Sequence, residues 1–493
     1  MSEQQSRESG AVGVLRAGVA RSNITNDAPD AVIHDPLCAR ALVLDDGTTR
    51  LAIVAMDVVS IGDISDVKDD FLPKLRTRIE SELGIPAAHV LVNASHTHPL
   101  GRLLCDDTEQ VARVFDAVRR ASEDLVPVKA GVGRGHENRF TINRTLRMKD
   151  GTAWTIRHAH PCPPDDEVKE LGPLDTDIGV LRLDRLDGTP FAVVFNFACH
   201  PLYGFEGRAL TANYPGFAGQ VIEDNVGHGA MALFLQGAGG DVCDVLYKDP
   251  NRPRDARPFG MMLGLSTLQA WQRIETKEAA LKVVTKAIRL PRRKDIPQRI
   301  EQELKLQDEL VKELAGTTLS FKVFLPLYLK YALDPEFPAD YSYRYMKDEE
   351  LGRTDMIELD AHNRQIIAKY LHGIKVMERL GRIQDDVNTL GWHQAHNEAS
   401  GEDTIAAEVQ GIRIGDCVFI SSPAEVLTRV GMRVKQASPH PYTFMSAFSN
   451  GYVHYGAPAD EYAMGGYEVT ECMLAPEWQE LYEKTAAEVL SQL

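Results

Sequence analysis

The chain has 493 residues, of which 44% are hydrophobic and 25% are charged. It is long enough for one large domain with an insertion, or for two domains, and it can bury an ordinary globular core. Asp and Glu total 71 against 54 Lys and Arg, and the formal net charge of -17 argues against a nucleic acid or an anionic membrane surface as the main partner.

The sequence shows no targeting or membrane-spanning segment. Residues 1–13 are polar and contain no apolar run of signal-peptide length, and no other run is long enough for a transmembrane helix. The cysteines are odd in number and widely spaced, and none forms a CxxC pair, so a disulfide framework is not expected. These features predict a cytoplasmic protein.

Four stretches share the pattern of a strand, a tight turn containing glycine, and a second strand. Aspartate beside glycine between apolar, β-branched runs is a strong signal for a β-hairpin. The predicted hairpins cover residues 39–57, 146–160, 178–200 and 409–425. The predicted fold class is therefore α/β, with mixed β-sheets flanked by helices.

Several predicted strands end at side chains that can bind a metal or carry a charge. One runs into Asp57, another into Cys199-His200, and a third is followed by Glu425. A further strand over residues 89–93 leads to Ser95-His96-Thr97-His98. Polar groups just past buried strands are typical of the active sites of α/β enzymes.

Residues from about 294 to 390 have the pattern of a helical insertion within a single domain that spans residues 1–493. Asp295 and Pro297 predict the start of one helix, and apolar spacing predicts a second over about 355–379. The apolar, aromatic residues 321–333 lie between them. Apolar, aromatic stretches of this kind usually belong to a hydrophobic core. The alternatives for residues 321–333 are a lid over the mouth of the site and a dimer surface, and a dimer surface would make the protein a homo-oligomer.

The histidines are ambiguous when each is taken alone. His96 and His98 are two residues apart, so on a strand they face the same side and can reach one site. His200 follows an apolar strand, where an imidazole needs a partner. Zinc is one such partner, and an ordinary hydrogen-bonded role is equally common.

In chain order these pieces resemble the catalytic domain of the neutral/alkaline, non-lysosomal ceramidases and their shorter bacterial relatives. That family carries Thr-His-Thr-His, Asn-Arg, a His after an apolar strand, Gly-Asp-x-Ser-Pro, Pro-Gly-Glu and Asn-x-Tyr-x-x-Tyr, closing in Tyr-Glu. The match spans about residues 14–490. The corresponding pieces here are Ser95-His96-Thr97-His98, Asn143-Arg144, Cys199-His200-Pro201, Gly240-Asp241-Val242-Cys243, Pro423-Ala424-Glu425, the segment 450–455 and Tyr467-Glu468.

The resemblance implies a zinc site, whose ligands would be His96, His200, Glu425 and Tyr455. It also implies that His98 transfers a proton or supports a ligand, and that Arg144 and Tyr467 polarise the scissile carbonyl and stabilise the oxyanion. The expected function is a Zn²⁺-dependent hydrolase that uses zinc-bound hydroxide to cleave a C–N amide bond of a small or amphiphilic substrate.

The chain also departs from the family pattern. Cys243 stands where the family has serine, and Asn213 stands where relatives have aspartate. The loop over residues 99–102 lacks the Gly-Pro-Gly-Gly of ceramidases. The family's immunoglobulin-like C-terminal domain and its secretion signal do not appear in the sequence. Together these departures predict that long-chain ceramide is a poor substrate.

Three alternative functions stay open at this point. A metal-free cysteine hydrolase would use Cys243 as its nucleophile, ester or lactone hydrolysis is a variant of the zinc mechanism, and a member retained only for binding would not be catalytic. A second HxH pair, His158 and His160, is interpreted as exposed polar side chains, as a second metal site or as part of a loop that contacts the substrate. Asp57 is interpreted as structural or as support for the site.

Overall fold

The structure is a computed structural model that describes residues 14–98, 104–156, 163–205, 209–244, 254–314, 316 and 318–493. The contacts divide it into two compact units. The first unit comprises the described residues up to Arg293 together with Gly401–Leu493, and the second comprises Lys294–Ser400.

The described residues form strands and helices in a mixed α/β order. Strands β1 to β19 are, in chain order, Arg16–Asn23, Cys38–Asp45, Arg50–Met56, Val90–Ala94, Val126–His136, Thr141–Asn143, Thr145–Met148, Ala153–Thr155, Val168–Leu171, Asp177–Arg185, Pro190–Phe197, Met231–Gln236, Val242–Asp244, Leu281–Pro291, Thr404–Ile414, Cys417–Ser421, Glu425–Val426, Tyr442–Ser446 and Tyr455–Gly456. Helices α1 to α11 are Phe71–Leu83, Asp107–Glu123, Asn213–Val226, Arg257–Trp271, Ile296–Glu313, Phe321–Leu333, Ser342–Glu350, Asp355–Ser400, Thr428–Ala437, Tyr467–Thr470 and Trp478–Ser491.

The predicted hairpins are confirmed as antiparallel pairs. They are β2–β3, β7–β8, β10–β11 and β15–β16. Gly47, Gly151 and Gly188 adopt positive φ in the first three turns, the conformation that tight hairpins require and that glycine reaches without strain. The α/β fold class with mixed sheets and flanking helices is confirmed.

Two sheets of the first unit build its centre. The larger has eight described strands in the order β12-β11-β10-β5-β1-β2-β3-β4, and the smaller has the order β14-β15-β16-β18. Most neighbours are antiparallel. The pairs β3–β4, β11–β12 and β16–β18 are parallel, so the loops that follow the two strands of each pair leave the sheet at the same edge.

The two sheets pack face to face and helices cover their outer faces. Leu42 and Leu183 of the large sheet share one buried cluster with Phe419 and Phe444 of the small sheet. Helices α2, α3 and α4 pack on the other face of the large sheet, and α11 packs on the other face of the small one. The result is a four-layer αββα arrangement, in which each sheet buries both of its faces.

The second unit is helical and contains α5 to α8. Two small apolar clusters hold its helices together, one around Leu310 and Val376 and the other around Phe324 and Tyr331. The helical insertion was predicted to end near residue 390, but α8 continues to Ser400, because residues 380–400 contain no proline to end it. Within the described residues, each helix is too short or too polar to cross a bilayer.

Candidate metal centre

The loops after three parallel strand pairs meet at one place in the first unit. The segment 95–98 follows β4, the segment 199–200 follows β11, and Glu425 follows β16. Two buried amide side chains join these loops. Asn93 Nδ2 donates to Ala447 O at 2.6 Å, and Gln236 Nε2 donates to Ser95 O at 3.0 Å and to Cys199 O at 2.8 Å.

His96 is held in one orientation by its backbone and by its ring. Its φ of 64° lies in the left-handed region, which non-glycine residues adopt only where the surrounding structure enforces it. The ring Nδ1 lies 2.7 Å from Val59 O. A carbonyl oxygen only accepts, so Nδ1 carries a proton and donates it to Val59 O, and Nε2 is the ring nitrogen that faces the site.

His200 is fixed in the same manner from the other side of the site. Its backbone N–H donates to Val242 O at 2.8 Å, and its Nδ1 donates to Gly239 O at 2.7 Å. The Nε2 lone pair therefore faces Glu425, whose Oε2 is 3.1 Å away. The same oxygen lies 3.3 Å from Nε2 of His96.

Burial and neighbouring groups shift the pKa values of His200 and Glu425. Burial lowers the pKa of His200 to about 4, and Arg144 and His96 act in the same direction, so its ring is neutral at pH 7. Burial favours the neutral form of Glu425, yet the neighbouring imidazoles hold its pKa well below its ordinary range. Two imidazole nitrogens and a carboxylate oxygen thus converge on one spot, and such a donor set can hold a metal cation.

His98 belongs to the same group of imidazoles. Its Nε2 lies 2.8 Å from Nε2 of His96, and each of the rings of His96, His98 and His200 offers one nitrogen within 4.8 Å of the others. His98 is half-buried, whereas the other two are buried. Imidazole nitrogens with a carboxylate oxygen are a donor set that suits zinc.

Tyr455, the fourth predicted ligand, lies directly beside Glu425. Strands β17 and β19 are parallel, and Glu425 and Tyr455 are paired in their register. The ring of Tyr455 is nearly parallel to that of His200, with the ring centres 6.4 Å apart. Its hydroxyl oxygen accepts a hydrogen bond at 2.8 Å from Nη2 of Arg144.

Arg144 is buried and held by a carboxylate. Its Nε donates to Glu468 Oε1 at 2.8 Å, and its Nη2 also donates to Gly240 O at 2.9 Å. Glu468 Oε2 in turn accepts from Thr155 Oγ1 at 2.6 Å. The ring of Tyr467 lies 5.6 Å from the Arg144 guanidinium carbon. The two residues predicted to stabilise an oxyanion therefore lie together, next to the predicted ligand Tyr455.

The remaining predicted residues have more varied positions. Cys243 is buried on β13, where its backbone pairs with His200. Asp57 Oδ2 accepts from Arg40 Nη1 at 2.9 Å and from Cys38 N at 2.8 Å, contacts that indicate a structural role. His158, His160 and the loop 99–102 lie outside the described residues.

Sequence reasoning missed several residues that shape this centre. Tyr452 donates through its hydroxyl to Glu425 Oε1, and it belongs to the Asn-x-Tyr-x-x-Tyr pattern in which only the second tyrosine was assigned. Asn93 and Gln236 are polar residues at the ends of otherwise apolar strands. Buried polar side chains in such positions need partners, and this was the signal that could have identified them.

The comparisons with known proteins rest on structure. No protein-family model and no curated protein matches the sequence. The fold matches the crystal structure of neutral ceramidase from Pseudomonas aeruginosa with a TM-score of 0.63 and 16% identity, over 97% of this chain and 74% of that one. It also matches a ceramidase complexed with C2, with a TM-score of 0.62 and 15% identity, over 97% of this chain and 75% of that one. The chain thus has a ceramidase-like fold.

Proposed function

We propose that the chain is a zinc-dependent hydrolase that cleaves a C–N amide bond of a small or amphiphilic substrate. The observation that carries this proposal is the convergence of Nε2 of His96, Nε2 of His200 and Oε2 of Glu425, with both Nδ1 atoms bonded to backbone carbonyls. The ordered motifs and the ceramidase-like fold support an amide as the bond that is cleaved.

The proposed ligands are His96, His200, Glu425 and Tyr455. A zinc ion bound by them would supply Lewis-acid chemistry, because zinc lowers the pKa of water and polarises a carbonyl group. His98 is the proposed proton-transfer group. Its Nε2 lies 2.8 Å from the His96 ring, and its half-buried position leaves it accessible to a substrate's leaving amine.

Arg144 is the proposed electrostatic group for the carbonyl oxygen. Its Nε and Nη2 are occupied by Glu468, Gly240 and Tyr455, which fix the plane of the guanidinium. Its Nη1 has no hydrogen-bond partner in the described part of the chain, so it is available to an oxygen that gains negative charge. A fixed donor needs no reorganisation when that charge develops. Tyr467, beside the guanidinium, would complete this side of the site.

A metal-content measurement tests the metal centre. Protein purified without chelator should contain one zinc per chain, and His200→Ala should lose it because removing a ligand opens the coordination shell. His89→Ala is the matched control, since His89 also bonds a backbone carbonyl through Nδ1, that of Arg50 at 2.9 Å. Zinc-free wild-type protein, or a His200→Ala variant that keeps its zinc, would contradict the proposal.

A substrate screen tests the reaction. Amides of increasing acyl length should be offered beside the matched esters, because ester or lactone hydrolysis uses the same groups. We expect hydrolysis of short or medium amides, slow turnover of long-chain ceramide, and loss of activity after chelation that zinc restores. Hydrolysis that persists in zinc-free protein would favour the cysteine mechanism, and zinc-loaded protein without any hydrolysis would favour a binding function.

A further inference from the structure

The two oxygens of the Glu425 carboxylate have different partners. Oε2 lies 3.1 Å from Nε2 of His200 and 3.3 Å from Nε2 of His96. Oε1 points the other way and accepts a short hydrogen bond from the hydroxyl of Tyr452. One oxygen is therefore turned towards the metal ligands, and the other is held by a phenol.

We infer that Tyr452 is a positioning residue, which holds Glu425 so that it offers only one oxygen to a metal ion. This inference rests on the proposed function. A carboxylate that is free to rotate can bind a metal through one oxygen or through both. A hydroxyl that donates to Oε1 keeps that oxygen out of the coordination shell. The position that a second oxygen would fill then stays open, as a catalytic zinc site requires.

The two tyrosines of the Asn-x-Tyr-x-x-Tyr segment have opposite hydrogen-bond roles. The hydroxyl of Tyr452 donates to Glu425, whereas the hydroxyl of Tyr455 accepts from Arg144 at 2.8 Å. A carboxylate oxygen only accepts and a guanidinium only donates, so these assignments follow from the partners. Tyr452 thus acts on the ligand carboxylate, and Tyr455 is the tyrosine whose oxygen serves as an acceptor, with one lone pair engaged by Arg144.

The loop that carries Tyr452 is anchored on the large sheet. Asn450 exchanges two hydrogen bonds with Val92 of β4, through its backbone N–H at 2.9 Å and its Oδ1 at 2.8 Å. Asn450 Nδ2 also donates to Glu408 Oε1 at 2.7 Å. Asn450 itself has a φ of 58°, a conformation that asparagine tolerates better than most residues. The backbone two residues before Tyr452 is therefore held against β4.

The test compares Tyr452→Phe with Tyr482→Phe. Tyr482 is the matched control, because it is a buried tyrosine whose hydroxyl donates to Ser421 O at 3.0 Å and contacts none of the proposed ligands. Each protein is loaded with Co²⁺ for visible absorption spectroscopy, and its zinc affinity is measured by competition with a chelator. Co²⁺ absorbs visible light less strongly as its coordination number rises, so the band intensity reports whether a second oxygen of Glu425 binds.

We expect Tyr452→Phe to give a weaker Co²⁺ band and a zinc affinity lower by roughly 10- to 100-fold, while Tyr482→Phe matches the wild type in both. If the wild type binds both ions and Tyr452→Phe has an unchanged spectrum and affinity, this inference is wrong and the proposed function stands. If the wild type binds neither ion, the proposed function is wrong and the inference falls with it.

Discussion

Asn93, at the end of β4, and Gln236, at the end of β12, are joined by a hydrogen bond of 2.9 Å from the Gln236 backbone N–H to Asn93 Oδ1. The amide of Asn93 also donates to Ala447 O at 2.6 Å. The buried side chain of Asn93 therefore links β4, β12 and the residue after β18. These strands belong to the parallel pairs β3–β4, β11–β12 and β16–β18. The loops carrying His96, His200 and Glu425 begin at or near these ends, so the geometry of the metal centre depends on this contact.

Replacing Asn93 by leucine should therefore affect both stability and metal binding. Leucine has a similar shape but cannot form a hydrogen bond. The Gln236 N–H therefore loses the Asn93 acceptor, at a cost of about 1–3 kcal/mol for an unsatisfied buried group, and the Ala447 carbonyl is left with the 3.2 Å bond from Ser449 Oγ. We expect a lower free energy of unfolding in urea and weaker zinc binding. Asn225→Leu is the control, since Asn225 is exposed and its side chain bonds to Val221 O within α3. Unchanged zinc affinity in a destabilised Asn93→Leu protein would show that this contact does not position the ligands.

Cys243 distinguishes the metal mechanism from a thiol mechanism. If the proposed ligands carry the reaction, Cys243→Ser should keep full zinc occupancy and lose less than about tenfold in kcat, because the hydroxyl is similar in size to the thiol. A serine hydroxyl is far harder to ionise than a thiol, so a cysteine nucleophile predicts almost no activity. Cys417→Ser, at another buried cysteine, controls for the cost of burying a hydroxyl. A trapped thioester on the native protein would support the thiol mechanism.

Asn213 makes a hydrogen bond that aspartate cannot make. Its Nδ2 donates to Pro201 O at 2.8 Å, which tethers the segment after His200. Asn213→Asp replaces this donor with a carboxylate that repels the carbonyl, so we expect a loss of about 1–3 kcal/mol in the free energy of unfolding and weaker zinc binding.

The control for this substitution is Asn213→Gly. Asn213 has a φ of 58°, which glycine adopts freely, so the glycine variant introduces neither strain nor charge. It removes the bond to Pro201 O and also the bond that Asn213 Oδ1 accepts from Tyr214 N at 2.7 Å. Zinc affinity measured by chelator competition should fall more in the aspartate variant than in the glycine variant. Equal affinities in both would show that the charge near Pro201 has no effect on the centre.

Asp244 should make stability depend on pH. Burial raises the pKa of its carboxyl to about 7, and its Oδ1 has no hydrogen-bond partner within the described ranges. An unfolded aspartate titrates near pH 4. Because the folded-state pKa lies above the unfolded one, protonation of Asp244 favours the folded state. Its contribution to the free energy of unfolding is complete below about pH 4 and is lost as the pH rises to about 7. The charged or titratable groups around it are Arg254, Tyr214 and Cys199.

Asp244→Asn should therefore flatten the pH profile of unfolding. Its amide can still accept the bond from Tyr203 N that Oδ2 accepts at 2.8 Å. At about 1.4 kcal/mol for each pKa unit, the variant should gain up to about 4 kcal/mol on the wild type between pH 4 and pH 7, as measured by urea unfolding. Asp150→Asn is the control, because hydrogen bonds from Thr152 lower the pKa of that exposed carboxyl. Parallel wild-type and Asp244→Asn profiles would contradict the prediction.

Local chemistry determined those parts of the fold that could be read from the sequence. The Asp-Gly turns predict their hairpins because turn type and strand alternation depend on neighbouring residues. The order of the motifs along the chain likewise predicted His96, His200 and Glu425 as metal ligands. The end of α8 was harder to predict, because the last turns of a helix depend on packing as much as on propensity.

The tertiary structure alone decided how these residues meet. Nothing in the spacing of Tyr452 and Tyr455 shows which phenol bonds the carboxylate and which bonds Arg144. That outcome depends on left-handed backbone at Phe448, Asn450 and His454, and such conformations persist only where distant contacts enforce them. The contacts of Asn93 cannot be predicted from the sequence for the same reason. Its partners lie more than a hundred residues away. The tertiary structure brings the two edge strands of the large sheet, β4 and β12, and the end of β18 within hydrogen-bonding distance of one another.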